Sequence, residues 1–317
     1  AGSHGQGRLE KRRCNLFPIA MTADADSLPR RSAFVAALPG IPWLALPTLV
    51  FIVVVFGWPL LYLLRMSFNE HPAGGIYVET WTLRNYLIVL TEPSMLVEIG
   101  KTVYISLVTA IVTVIAAFFF AQFVWLREGR NRVMLLAIAL GPMLISEVSV
   151  IIGWRIFFPS NGLLSYALVS AGLSERKISL LGTEIAAVVG LSYISVSYCF
   201  FSILSVLNGI DRGLLTASAD LGASPVRTFF TVLLPLAKGG IAAAFTQAFV
   251  FTMGIYATTN ALGPDSLWTV PYEIQLQMLT RRNWPMASAL SVVLIVIIAA
   301  AALLTQWLRH RKGGRHV

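Results

Sequence analysis

The sequence predicts an all-α, polytopic membrane protein with six transmembrane helices. Its 317 residues are 56% hydrophobic and only 12% charged, with a mean hydropathy of +0.74, whereas soluble domains carry about 25% charged residues. The apolar residues also fall into runs that reach the ~20 residues of a membrane-spanning helix. Strands of a membrane barrel need only ~9–11 residues, so the run lengths favour helices.

The apolar runs predict six spans in order along the chain. They lie at about 42–64, 101–126, 133–158, 185–207, 238–262 and 287–308. The expected domains are a cytoplasmic tail at 1–31, a membrane domain at 32–308 and a basic tail at 309–317. Residues 1–20 resemble a vector-derived or leader remnant, with Met21 as the native start, and 32–38 could form a short interfacial helix.

The distribution of basic residues predicts that both termini are cytoplasmic. With that orientation, sixteen of the 24 Lys and Arg residues fall in the tails and inner loops, as the positive-inside rule requires. The short loop 127–132 alone contains Arg127, Arg130 and Arg132. The net charge of +9 is therefore interpreted as a topology signal, and without an aromatic-interleaved basic patch it does not indicate nucleic-acid binding.

The polar loop 209–235 predicts a helical hairpin on the cytoplasmic side. Leu214 to Leu221 has helical spacing, and Gly222 is expected to end this helix with a positive φ. Ser224 and Pro225 suit the N-cap and first position of a second helix, which is expected to close at Leu234-Pro235. Apolar residues left over on such a hairpin suggest a docking surface for another protein.

This hairpin resembles the cytoplasmic signature loop of binding-protein-dependent ABC importer permeases. The resemblance rests on Ala217-Ser-Ala-Asp-Leu-Gly222 followed by Leu234-Pro235, although Thr216-Ala217-Ser218 replaces the usual opening Glu-Ala-Ala. It implies the type I ABC importer permease fold and a loop that seats the chain on an ATPase. The residues implied in coupling are Thr216, Ala217, Ser218, Asp220, Gly222, Ser224, Pro225, Phe229 and Pro235.

Further segments are similar to spermidine/putrescine-type permeases. They are Trp81-Thr-Leu-Arg-Asn-Tyr86, Gly153-Trp154, Asn161-Gly-Leu-Leu164, Ile210-Asp211 and Arg282-Asn-Trp-Pro285. The resemblance implies import of a polyamine or related organic cation. It also implies a second permease, two ATPases that bind ATP and Mg, and a periplasmic solute-binding protein, all in a bacterial inner membrane.

Polar residues inside the predicted spans are candidates for the translocation pathway. Glu147 is the one acidic residue expected near mid-span, where a charge costs ~2.5–3.5 kcal/mol on insertion scales. It could recognise a cationic solute or serve only as a hydrogen-bonding group between helices. The other candidates are Tyr193, Ser195, Ser197 and Tyr198 in span four and Thr246, Gln247, Tyr256, Thr258, Thr259 and Asn260 in span five. Gly239-Gly240 and Ala242-Ala-Ala suit close packing at a subunit interface.

The motifs argue against a catalytic function for this chain. It has no Gly-x-x-x-x-Gly-Lys-Ser/Thr phosphate loop and no hydrolase or zinc-protease motif. If transport is driven by ATP, the nucleotide site must therefore lie in partner subunits. Cys14 and Cys199 cannot build a disulfide framework, and the four scattered histidines predict no metal site. A proton- or sodium-coupled secondary transporter is the alternative function, although no inverted repeat is evident.

Overall fold

The computed structural model describes residues 41–72 and 74–313 and shows a helical protein. Within these residues the only β-type pairing is an isolated bridge between Glu70 and Val78, which confirms the predicted all-α class. The predicted tail 1–31, the short helix 32–38 and Cys14 lie outside the described residues, as do the last four positions of the basic tail.

The chain forms two compact units, the first ending at Trp58. In this unit the structure describes helix α1, Ile41–Ile52, followed by a π-helical segment, Val53–Gly57. The second unit begins at Pro59. Its first helix is α2, Trp58–Met66, whose first residue is the last residue of the first unit. The candidate span Leu46–Met66 crosses the boundary between the units and corresponds to the first predicted span.

The second unit is built from helices of very different lengths. They are α3 Arg84–Thr91, α4 Pro93–Trp125, α5 Gly129–Leu144, α6 Glu147–Phe157, α7 Leu163–Ser170, α8 Glu184–Leu207, α9 Gly213–Asp220, α10 Pro225–Thr228, α11 Leu234–Met253, α12 Ala257–Leu262, α13 Val270–Gln275 and α14 Trp284–Gly313. π-helical segments Phe229–Leu233 and Leu276–Thr280 follow α10 and α13. Helices α3 and α7 are short and are not among the candidate spans.

Five helices of the described chain are long and apolar enough to cross a membrane. Besides Leu46–Met66 they are Pro93–Trp125, Glu184–Leu207, Pro225–Met253 and Trp284–Trp307. Helices α5 and α6 pass the same test together but are bent by 96°. The described chain therefore has six spans if α5 and α6 together count as one span. The prediction of one continuous helix over 133–158 is wrong.

The break between α5 and α6 has a local backbone cause. Pro142 lies inside the last turn of α5, where it removes one intrahelical hydrogen bond and crowds the preceding turn. Ile145 and Ser146 are then extended, with ψ values of 134° and 138°. Glu147, expected at mid-span, is consequently the first residue of a new helix.

The core of the second unit forms where α4, α8 and α11 pack together. Small residues let these helices approach closely. A Cβ on Gly240 would lie 3.0 Å from the Cβ of Val206, and Ala244 is fully buried. The expectation that Gly239-Gly240 and Ala242-Ala-Ala form a subunit interface is therefore wrong for Gly240 and Ala244, which pack against α8 within this chain.

Candidate functional site

The predicted hairpin is present, and backbone hydrogen bonds define its tip. Helix α9 ends in a Schellman motif, because the N–H of Gly222 donates to Ala219 O at 2.8 Å and that of Ala223 donates to Ser218 O at 3.1 Å. Gly222 has φ +80°, as the sequence predicts. This left-handed conformation reverses the chain between the two helical arms.

The second arm begins at its predicted N-cap. The Ser224 hydroxyl accepts a hydrogen bond from the Arg227 N–H at 3.3 Å, and Pro225 occupies the first helical position. The two arms are joined where the hydroxyls of Ser218 and Thr228 hydrogen-bond at 2.9 Å. The hairpin is thus held together by contacts of its own.

The second arm does not close at Leu234-Pro235, so that prediction is wrong. The helix continues into α11, and the candidate span runs unbroken over Pro225–Met253. Pro235 cannot donate to a carbonyl one turn back, but the π-helical segment Phe229–Leu233 precedes it, and the Leu234 N–H donates to Phe229 O. The wider turn lets the chain pass the proline without ending the helix. The hairpin is therefore continuous with a transmembrane helix.

Apolar side chains remain exposed around the hairpin tip. Leu221 is 89% exposed and Val226 is 66% exposed, and these two residues lie on either side of the Gly222 turn. Leu214 and Phe230 are also exposed, and so are the expected coupling residues Thr216, Ala217, Asp220, Ser224, Pro225 and Pro235. An exposed apolar cluster on a polar loop is typical of a surface that another protein covers.

Phe229 faces the interior of the chain. Its ring lies 5.7 Å from that of Phe118 and 6.2 Å from that of Phe119, both on α4. A cleft of about 300 Å³ lies between the hairpin and this helix, lined by Gln122, Leu215, Ala219, Ala223, Pro225, Thr228, Phe229 and Leu233. Phe229 therefore positions the hairpin against α4.

Arg212 anchors the base of the hairpin, although no sequence motif singles it out. Its guanidinium lies 2.5 Å from Glu128 Oε1, donates to the carbonyl of Trp125 and lies over the Trp125 ring. A second arginine, Arg132, donates to Asn208 Oδ1 at 2.8 Å. In the sequence, Arg212 is simply one of the basic residues of a predicted inner loop. Its pairing with Glu128 could have been suspected, because the two opposite charges lie in loops predicted on the same side.

The pathway candidates fall into separate groups. The Thr258 hydroxyl donates to Glu147 Oε1 at 2.8 Å, which joins the start of α6 to α12. The Tyr193 ring lies against Trp154 of α6 at 5.9 Å, edge to face. Tyr198 instead contacts Phe251, and Tyr256 contacts Tyr272, while Asn260 is exposed.

Span five ends earlier than predicted, and this moves several candidates out of it. Helix α11 stops at Met253, so Tyr256 and Asn260 lie beyond its end. Tyr256 precedes the short helix α12, and Asn260 belongs to it. Glu147 with Thr258 is the one hydrogen bond between two side chains among the predicted pathway residues of the described chain.

Comparison with known proteins decides the family. The family model described as "Binding-protein-dependent transport system inner membrane component" matches residues 110–313, well over half of the chain. The chain belongs to this family. The match includes the hairpin and every described span except the first and the beginning of the second, so the chain is a multi-pass ABC importer permease subunit.

Individual relatives of this permease cover most of its length. The spermidine/putrescine transport system permease protein PotB of Haemophilus influenzae is 28% identical over 78% of this chain and 89% of its own length. PotB of Escherichia coli K12 is 26% identical over 81% and 95%. The sn-glycerol-3-phosphate transport system permease protein UgpA of Brucella abortus is 27% identical over 81% and 90%.

Solved structures confirm the permease fold. A crystal structure of a bacterial ABC transporter involved in the import of the acidic polysaccharide alginate matches with a TM-score of 0.69 and 15% identity. The match covers 89% of this permease and 96% of the solved chain. The type I importer fold expected from the sequence is therefore correct.

Proposed function

We propose that this permease forms half of the pathway of an ATP-driven importer for a polyamine or a related small organic cation. The observation that carries the proposal is the hairpin, whose rigid tip exposes apolar residues and whose second arm continues into a transmembrane helix. A partner that moves this hairpin would move α11 with it. The hairpin thus suits the transmission of ATPase motion to the pathway.

The proposed partners follow from the family and the hairpin. Two ATPase subunits would bind ATP and Mg, one of them covering Leu221, Val226 and Phe230. A second permease, identical or different, would supply the other half of the pathway. A periplasmic solute-binding protein would deliver the solute to the opposite face, and lipid would surround the spans.

Glu147 favours a cationic solute over an anionic one. The relatives are compatible with either a cationic or an anionic solute, since PotB is named for spermidine and putrescine and UgpA for sn-glycerol 3-phosphate. A carboxylate attracts an ammonium group and repels a phosphate. Glu147 lies at the break between two helices and is only half-buried, so its carboxylate has a free oxygen for a solute amine.

Uptake into proteoliposomes tests the proposed function. The permease, purified with its partner subunits, should import labelled spermidine when its binding protein is outside and ATP is inside the vesicles. Without ATP, uptake should fall to the level of empty vesicles. Uptake driven by a proton or sodium gradient without ATP would instead support a secondary transporter, and ATP-driven uptake of glycerol 3-phosphate alone would refute the organic cation.

The proposed orientation is tested by cysteine labelling in intact cells. Single cysteines at Arg130 and Gly313 should resist an impermeant thiol reagent, because both would lie on the cytoplasmic side with the hairpin. A cysteine at Asn161, between α6 and α7, should react. Labelling of the first two positions from outside would invert the topology and place the hairpin where no ATPase could reach it.

A further inference from the structure

A group of buried polar side chains lies between α4 and the segment that precedes the last span. Glu98 on α4 is 6% exposed, Glu273 on α13 is 1% exposed, and Gln277 in the following π-helical segment is 4% exposed. Buried carboxylates are costly unless opposite charges or hydrogen-bond donors compensate them. We call Glu98, Glu273 and Gln277 the carboxylate cluster.

Hydrogen bonds satisfy only part of this carboxylate cluster. Oε1 of Glu273 accepts from Gln277 Nε2 at 2.7 Å and from Arg281 Nη1 at 2.9 Å. Three buried oxygens have no donor in the described part of the chain, namely Glu98 Oε2, Glu273 Oε2 and Gln277 Oε1. Gln277 is an uncharged side chain held by Glu273, so its unpartnered oxygen is evidence independent of the acidic residues.

The cluster is fixed in place by bonds between its two supporting elements. Thr102 Oγ1, one turn along α4 from Glu98, accepts from the Val270 N–H at 2.8 Å. Lys101 donates from Nζ to Ser266 O at 2.6 Å. These bonds hold α13 and the residues before it against α4, and so fix the two elements that carry the cluster.

Charges of both signs surround the Glu98 carboxyl. The charged groups that act on the Glu98 carboxyl are Glu273, Arg281 and Lys101. Arg281 forms an ion pair with Glu273. The ammonium group of Lys101 donates a hydrogen bond to the backbone carbonyl of Ser266. The Glu98 carboxyl is buried, its Oε2 has no hydrogen-bond donor in the described part of the chain, and Glu273 is one of the charged groups that act on it.

We propose that the carboxylate cluster binds a small inorganic cation, with Glu98, Glu273 and Gln277 as oxygen ligands. A cation would stabilise the ionised form of the buried carboxyl groups, and coordination would use the three oxygens that lack donors. Oxygen-only ligands suit hard cations such as sodium or calcium. The near-complete burial of all three side chains favours a bare ion over an organic amine with a chain behind it.

The cation would brace the outer end of the molecule as the topology is proposed. It would link α4 to the segment that leads into α14, next to the strained Arg282, which has φ +53°. This role does not depend on the identity of the imported solute. It would make stability, rather than substrate choice, the property that responds to the ion.

Thermal unfolding of the purified transporter complex tests the site. The melting temperature is measured at constant ionic strength while sodium, potassium or calcium chloride replaces choline chloride. At least one of these cations should raise it by about 2 °C or more in a saturable manner. Glu98→Gln should abolish that response, whereas Glu92→Gln, at the exposed start of the same helix, should keep it.

A direct measurement keeps the proposal testable if Glu98→Gln does not assemble. Equilibrium dialysis of the wild-type complex against radioactive sodium or calcium should show one saturable site per permease. A melting temperature that is the same in every salt, an unchanged response in Glu98→Gln, or a response to pH alone would each overturn the cation site. Failure of polyamine uptake would leave it untouched, because the two experiments measure different properties.

Discussion

Gly222→Asp is expected to reduce ATP-driven uptake by about tenfold or more, equivalent to ~1.4 kcal/mol of lost coupling. The change places a carboxylate between Leu221 and Val226, on the apolar surface that we propose an ATPase covers. Burying an unpaired charge in such an interface is costly. Uptake in proteoliposomes and the amount of ATPase retained on the purified permease measure the effect.

Gly222→Asn is the matched control for the charge. Asn has nearly the same size as Asp, and both tolerate a positive φ better than other non-glycine residues. No atom lies within 4 Å of the position that a Cβ would occupy on Gly222, so neither side chain meets a steric barrier. Wild-type uptake and ATPase retention in Gly222→Asp would exclude this turn from coupling, and equal loss in both variants would implicate the backbone.

Glu147→Gln is expected to lower uptake of an organic cation by about tenfold, a difference of ~1.4 kcal/mol, with assembly unchanged. Gln keeps the size of the side chain and can still accept the hydrogen bond from Thr258, so the contact between α6 and α12 is preserved. Only the negative charge is lost. The rate is measured with binding protein and ATP saturating, so that passage through the membrane limits uptake.

Two further variants separate recognition from structure. Glu184→Gln removes another carboxylate at the first position of a helix, α8, where the side chain is exposed, and it should transport normally. Thr258→Val removes the hydrogen-bond donor but leaves the Glu147 charge, and it should have the smaller effect. If Thr258→Val were as damaging as Glu147→Gln, or if Glu147→Gln transported normally, Glu147 would be a structural residue.

The hairpin was predictable because its determinants are local. Ser224 and Pro225 begin a helix through their own backbone preferences, and Gly222 adopts a conformation that other residues disfavour. The spans were predictable from run length, which the bilayer thickness sets. Neither inference needs knowledge of what the chain packs against.

The ends of the membrane helices were less predictable, because hydropathy does not register backbone breaks. The run around Ile145-Ser146 is apolar on both sides, so nothing in its hydropathy revealed the 96° bend. Pro235 suggested the end of the hairpin's second helix. The helix nevertheless continues, because the π-helical segment Phe229–Leu233 before it accommodates the proline, which has no N–H to donate. The contacts of Arg212 and Glu98 depend on residues far away in the sequence, and only the folded chain brings them together.

Helix α4 places two features of this permease on a single rod. Its 33 residues make it ~50 Å long at 1.5 Å per residue, well beyond a hydrocarbon layer of ~30 Å. Glu98 lies near one end, and Trp125, whose carbonyl holds Arg212, is at the other. A tilt of ~6° about the middle of a rod ~50 Å long would displace each end by ~2.5 Å in opposite directions. A partner that tilts α4 through the hairpin would therefore also move the opposite end of this helix, on the far side of the membrane.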